Sequence, residues 1–394
     1  MKLLWAKTDF LHPTTRGGQI RTLEMLRQIH RRHEVHYVAF DNPALPEGVA
    51  RAKEYSSFRY PLKHETRDKA SAVFALDLAA GVFDKLPLAV GRYRSRAMRD
   101  TIEELSRRHK FDSIVCDFLA PAPNMPDLSN TVLFQHNVEY VIWKRQAADA
   151  QSLAKKLYFK HQAGKMFRYE RDVCRAVKHV VAVSETDCDT MSALYGVDRI
   201  SWVPTGVDTE YFSPPASRPL QADLVFVGSM DWMPNIDGVN WFMSAVLPLI
   251  RAKRPDCTVA IVGRSPGGAI KQLAEHDPHI TVTGTVPDVR PWLWGSKVSI
   301  VPLRVGGGTR LKIYEAMAAK TPVVSTAIGA EGLEVHDGQN IAIADEPADF
   351  ADRTLALLDS EPERGRLAAA ACEMVRTKYS WDAVARRFEG CLWS

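Results

Sequence analysis

The sequence predicts two α/β domains, each built on a parallel sheet. Three observations carry this. Short apolar runs of strand length alternate with amphipathic stretches of helix length along the whole chain. Both halves carry glycines after strands, Gly17-Gly18 in the first and Gly228 and Gly263 in the second. The rhythm pauses once, at Ser213-Pro214-Pro215-Ala216-Ser217-Arg218-Pro219, and then restarts. The length, 394 residues, holds two to three domains at roughly 150 residues each.

The elements follow in order. Lys2 to Ala6 is a strand, Gly17-Gly18 opens a loop, and Gln19 to Arg32 is a helix with Ile20, Leu23, Leu26 and Ile29 near helical spacing. Glu34 to Phe40, Ser113 to Asp117, Val132 to Gln135 and His179 to Ser184 are further strands. Lys144 to Arg175 is one long helical stretch rich in Lys and Arg, and Ser184-x-x-Asp187 resembles a capping box. After the proline-rich segment, strands fall at Asp223 to Val227, Cys257 to Val262, Ile280 to Thr283, Val298 to Val301 and Pro322 to Ser325. Helices fall at Asn235 to Arg251, with Asn235 as a candidate N-cap, and at Leu311 to Ala319, Glu363 to Lys378 and Trp381 to Leu392.

Composition narrows the class. The hydrophobic fraction is 46% and the charged fraction 25%, values of an ordinary globular chain rather than a disordered or collagen-like one. Net charge is +4, from 51 Lys and Arg against 47 Asp and Glu, mildly basic and far from a nucleic-acid footprint. Six cysteines are scattered without a C-x-x-C pair, which fits a reducing compartment and no zinc ribbon. The amino-terminal apolar run is too short for a signal peptide, and no run of about 18 apolar residues is present to span a membrane. The expected location is cytoplasmic, with any membrane contact peripheral at the inner face.

The chemistry concentrates at Pro302 to Ala318. A strand runs into Gly306-Gly307-Gly308-Thr309, and a helix opens with Arg310, Leu311 and Lys312. Successive glycines let backbone N–H groups approach an oxyanion, and a helix start adds its positive dipole end. Cations there oppose the dipole, so Arg310 and Lys312 point to an anionic ligand, naturally a diphosphate. Glu315 lies about one turn on, where a carboxylate accepts hydrogen bonds from ribose hydroxyls. Lys155 to Arg168 mixes cations with aromatics, which fits an acceptor or anionic-membrane surface as well as a solvated face. Ala72 to Val90 fits either an apolar acceptor pocket or buried core.

Gly308 through Glu315-Ala316-Met317-Ala318 resembles the donor-binding segment of retaining glycosyltransferase family 4, whose fold is GT-B, two Rossmann-like domains facing across a cleft. Gly17-Gly18-x-x-Arg21 resembles that family's amino-terminal glycine loop, and Phe134 to Tyr140 the segment whose His, here His136, lies near the transferred sugar. Tyr169-Glu170, Val183-Ser184, Pro204-Thr205-Gly206-Val207-Asp208, Val227-Gly228, Val262-Gly263, Gly284 to Val289 and Tyr379 to Asp382 follow in the family's order. One departure stands out: the family's first glutamate, eight positions before Glu315, is Gly307 here. Another is Ser229 to Asn235, which lacks the Arg and Lys usual after that strand.

The resemblance implies an acceptor-side domain at 1–212, a donor domain at 213–378, and a final helix at 379–394 packing back on the first. It implies a donor site of Gly17, Gly18, Arg21, Gly228, Val286, Gly307, Gly308, Thr309, Arg310, Leu311, Lys312 and Glu315, with His136, Arg310 and Lys312 catalytic. It also implies a retaining transfer by front-face attack, from a nucleoside-diphosphate sugar to a hydroxyl of a glycan, lipid-linked glycan or small molecule. The nucleotide sugar is a co-substrate, and no cofactor or essential metal is expected; Asp187-Cys188-Asp189 is read as a helix cap, not a metal motif. Two other readings stay open: a nucleotide-sugar epimerase on the same scaffold, and a two-lobed binding protein without turnover.

Overall fold

The computed structural model describes residues 1–14, 17–64, 84–150, 152–305 and 310–393. The chain divides into two compact units, Met1–Pro204 with Val384–Ser394, and Thr205–Ala383. The boundary falls before Ser213–Pro219, where the sequence places it. The reason lies in the packing of 205–212: the Val207 N–H donates to the Tyr379 carbonyl, Trp294 Nε1 donates to the Phe212 carbonyl, and both Val207 and Phe212 are buried in the second unit's core.

Among the described residues the first unit holds a seven-stranded parallel sheet ordered β3-β2-β1-β4-β5-β6-β7. Its strands are β1 (Lys2–Ala6), β2 (Glu34–Asp41), β3 (Phe58–Lys63), β4 (Ser113–Asp117), β5 (Thr131–Phe134), β6 (His179–Ala182) and β7 (Ile200–Trp202). The second unit holds a six-stranded parallel sheet ordered β10-β9-β8-β11-β12-β13. Its strands are β8 (Ala222–Val227), β9 (Val259–Val262), β10 (Ile280–Gly284), β11 (Ser296–Val301), β12 (Val323–Ser325) and β13 (Ala342–Ile343). Central strands such as β5 and β9 are buried at every position, because helices cover both faces of a parallel sheet. Strand order reverses between β1 and β4 in one sheet and between β8 and β11 in the other. At such switch points the carboxyl ends of strands leave a crevice for ligands.

Several elements depart from the sequence reading for physical reasons. The edge strand β3 escapes the pattern because it contains Pro61 and is exposed at alternate positions. The long basic stretch is two helices, Glu139–Asp149 and Leu153–Ala176, and Ser152 Oγ caps the second by accepting from the Lys155 N–H. The Asn235–Arg251 helix is a composite: Met233–Trp241, a π turn at Phe242–Val246, and Leu247–Lys253, with Pro248 at the restart. Proline has no N–H for the ladder and crowds the preceding turn, and the wider turn accommodates it. The last helix, Trp381–Leu392, starts in the second unit and ends in the first, where Phe388 packs on Trp5 at 5.5 Å between ring centroids and Glu389 accepts from Arg32.

Of the 72–90 segment, residues 72–83, which carry both readings, lie outside the described residues; Val90 is buried in the first unit's core. No helix among the described residues is long and apolar enough to cross a membrane.

Candidate active site

In the first unit three polar side chains meet at the carboxyl ends of β1, β4 and β5. Lys7 follows β1, Asp117 closes β4 and His136 follows β5, and all three are buried. The Asp117 carboxylate has four partners. Its Oδ1 lies 2.9 Å from Lys7 Nζ and 2.9 Å from His136 Nε2. Its Oδ2 accepts from Trp5 Nε1 at 3.0 Å and from Thr22 Oγ1 at 2.7 Å. Lys7 Nζ donates to Thr22 Oγ1 at 3.3 Å and sits 4.5 Å from the Phe118 ring centroid.

Burial alone would raise the Asp117 carboxyl, but the charges of Lys7 and His136 override it and hold it well below the ordinary carboxylate range. Burial pushes the His136 imidazole down to about 4, against the pull of Asp117. Lys7 already balances the carboxylate, so the ring stays neutral near pH 7. A ring whose conjugate acid gives up its proton this readily is a poor general base at that pH, and His136 is better suited to hydrogen bonding.

The ring is held on a strained support. Phe118 has φ of 73°, in the left-handed region that costs a bulky residue about 1–3 kcal/mol. Its ring stacks on His136 at 3.9 Å and 15°. A Cβ at Gly18 would lie 2.9 Å from Phe118 Cζ and 3.5 Å from His136 Nδ1, so this close approach requires glycine. Gly17 faces open space. On the same helix, Gly17–His30, burial pushes the Arg21 guanidinium down to about 10, opposed by Asp187 and Asp117, and its buried Nε has no partner among the described residues.

The structure thus joins Gly18 to His136 and adds Lys7, Thr22, Asp117 and Phe118, which the sequence reading missed. One signal was available: Lys7 and Asp117 each place a charge at the carboxyl end of an apolar strand.

In the second unit the corresponding position is Gly228, just past β8. A Cβ there would lie 2.7 Å from Lys312 Nζ and 2.8 Å from Asn235 Nδ2. Lys312 opens the Leu311–Ala318 helix, donates to Asn235 Oδ1 at 2.8 Å, and sits 4.5 Å from the Phe226 ring centroid. Asn235 corrects the capping expectation. Trp232 is the N-cap residue, and Asn235 lies buried within the helix, its Nδ2 donating to the Ser229 carbonyl at 2.8 Å. Burial, then the charge of Arg310, pushes Lys312 down to about 7, with Glu315 opposing. Burial also lowers Arg310, whose guanidinium lies 5.2 Å from the Trp232 ring centroid, and raises Glu315 against the pull of Lys312.

Leu311 is partly buried at the helix start, and Val286 packs beside the core around Leu293 and Ile313. Gly307, Gly308 and Thr309 lie outside the described residues. Asp187 belongs to the cap of the Glu185–Tyr195 helix: its N–H donates to Ser184 Oγ at 3.1 Å, and its Oδ2 accepts from that hydroxyl at 2.8 Å. Among the described residues no group of three or more His, Cys, Asp or Glu is placed to hold a metal ion.

Comparison with known proteins places this architecture. Residues 15–211 match the family model Glycosyltransferase Family 4, and residues 221–360 match Glycosyl transferases group 1. An uncharacterized 44.6 kDa protein in the cps region of Klebsiella pneumoniae is 24% identical over 371 residues, 89% of each chain. A phosphatidyl-myo-inositol mannosyltransferase of Mycobacterium leprae is 29% identical over 214 residues, 52% of this chain and 56% of its own. The crystal structure of HepE from Anabaena in complex with UDP superposes with a TM-score of 0.61 at 13% identity, covering 100% of this chain and 99% of that one. The chain belongs to glycosyltransferase family 4 and is a glycosyltransferase of the GT-B fold.

Proposed function

We propose that this enzyme moves a sugar, with retention of anomeric configuration, from a nucleoside-diphosphate sugar to a hydroxyl of a glycan or lipid-linked glycan. The observation that carries the donor class is the Lys312 ammonium, fixed by Asn235 beside Gly228 at the end of β8. A preorganised cation there stabilises charge developing on the leaving diphosphate. Arg310 and the glycine-loop amides share that role. Glu315, one turn along the helix, takes the ribose. In the first unit we assign Gly18, Arg21 and neutral His136 to the transferred sugar, with His136 Nδ1 as hydrogen-bond acceptor. The bound UDP in HepE supports a nucleotide donor.

The poor basicity of His136 supports retention, because a front-face transfer needs no side-chain base. In front-face attack the acceptor oxygen bonds to the anomeric carbon on the face the diphosphate leaves. The carbon–oxygen bond to phosphate breaks, and the departing phosphate oxygen takes the acceptor's proton. No side chain has to remove it. The charge is met by Lys312 and Arg310, so no metal is required in this scheme.

The relative from a cps region and the phosphatidyl-myo-inositol mannosyltransferase favour a glycan or lipid-borne acceptor. The helical hairpin of Glu139–Asp149 and Leu153–Ala176 supports a peripheral site at the inner membrane face: Leu153 and Leu157 are exposed at 73% and 59%, beside Lys155, Lys156 and Lys160.

The test is a thermal-shift screen against UDP, GDP, ADP and dTDP and their sugars, in EDTA. A shift of several degrees for one nucleotide, lost in Lys312→Ala, supports the donor site. No shift for any nucleotide overturns it. NMR of the product's anomeric proton then decides retention.

A further inference from the structure

His136 sits on a short segment whose two ends are tied to one buried carboxylate, Glu170. Glu170 lies on the Leu153–Ala176 helix and is 0% exposed. Its Oε1 accepts from Gln135 Nε2 at 2.8 Å and from the Glu139 N–H at 3.0 Å. Its Oε2 accepts from the Tyr140 N–H at 2.8 Å and from Tyr195 Oη at 2.7 Å. Gln135 directly precedes His136, and Glu139 and Tyr140 open the helix directly after it.

That helix has no cap of its own: Val138 stands at its N-cap without a side-chain bond. Glu170 supplies the cap from another helix, satisfying two orphan N–H groups and placing negative charge at the positive dipole end. All four partners are donors, and only an ionised carboxylate accepts from four donors at once. Burial pushes the Glu170 carboxyl up, and these donors work against it.

We propose that Glu170 is a positioning residue. It fixes the backbone of residues 135–140, while Asp117 fixes the His136 ring, so that Nδ1 is held toward Gly18. Glu170 touches no reacting atom and acts through His136. The assignment rests on reading His136 as a contact of the transferred sugar.

Two variants probe it. Glu170→Gln keeps the shape but turns an acceptor into a donor facing donors. Tyr195→Phe removes one donor and leaves three. Protein labelled with 15N in its histidine rings reports the ring without any ligand, and the His136 signals are those lost in His136→Ala. UDP release from UDP-glucose, as probe donor, reports turnover. The expected result is altered His136 ring signals in Glu170→Gln and a smaller change in Tyr195→Phe. Turnover of Glu170→Gln should fall at least tenfold with KM for UDP-glucose within twofold, and the loss should vanish when His136 is already Ala.

Unchanged ring signals in both variants would overturn the proposal, as would losses that multiply in the double variant, since a purely structural cap acts independently of His136. Wild-type turnover in His136→Ala alone would instead overturn the underlying reading of His136, and with it any catalytic effect of Glu170.

Discussion

Lys312 Nζ donates to Asn235 Oδ1 at 2.8 Å, and the same amide donates to the Ser229 carbonyl at 2.8 Å. One buried side chain thus holds the ammonium to the loop that leaves β8. Removing it by Asn235→Ala strands a cation and a carbonyl. The expected cost is about 1–3 kcal/mol of stability, read as a lower urea midpoint, with weaker nucleotide binding. Unchanged nucleotide affinity would mean that Lys312 finds its ligand without this tether.

In the proposed donor site, the depressed Lys312 predicts proton-linked donor binding. With its pKa pushed down to about 7, much of the free enzyme carries a neutral amine at pH 7.5. An anionic diphosphate favours the ammonium, so binding takes up a proton and weakens as pH rises from 7 to 9. Calorimetry in two buffers of different ionisation enthalpy measures that uptake. Lys312→Arg should abolish it, because the guanidinium stays charged throughout.

Acid stability separates His136 from Glu139. His136 is depressed from 6.5 to about 4, so its contribution is present above 6.5 and is lost as pH falls through about 4. A shift of that size corresponds to about 3 kcal/mol. Glu139 is raised from 4.5 to about 7, by burial first and then by the Glu170 charge, so its contribution is present below 4.5 and is lost as pH rises through about 7. The two windows overlap with opposite signs. Chemical denaturation from pH 4 to 7 should therefore show less acid destabilisation in His136→Phe and more in Glu139→Gln than in the unmodified chain.

Asp117→Asn keeps the shape of the carboxylate but leaves Lys7 as an uncompensated buried cation. Breaking a buried pair this way costs about 3–5 kcal/mol. Urea unfolding followed by tryptophan fluorescence reads the loss, since Trp5 Nε1 donates to the same carboxylate. A change under 1 kcal/mol would show that Lys7 is relieved by another route.

The basic hairpin predicts electrostatic attachment. Sedimentation with phosphatidylglycerol vesicles should capture the protein at low salt and release it at high salt. The triple variant Lys155→Glu, Lys156→Glu, Lys160→Glu should lose that capture, since each basic residue near an anionic surface contributes about 1 kcal/mol. Equal capture by neutral phosphatidylcholine would point to the exposed Leu153 and Leu157 alone.

Much of this molecule was legible one segment at a time. Apolar runs marked β1, β2, β4, β5, β6 and β8 to β12, and Ser184 with Asp187 marked a helix start, because periodicity and capping depend on neighbours a few positions apart. Glycine positions and the charged start of the Leu311–Ala318 helix point to the proposed donor side for the same reason. The short strands β7 and β13 and the proline-containing edge strand β3 carried too little periodic signal.

Only the tertiary structure decided the partners. Trp5 and Asp117 are 112 positions apart, Lys312 and Asn235 are 77 apart, and Gln135 and Glu170 are 35 apart. A parallel sheet gathers the carboxyl ends of distant strands at one edge, and polar groups buried there must find one another or lose their hydrogen bonds to water unreplaced. Which donor meets which carboxylate is set by strand order and helix placement, and no local pattern encodes it.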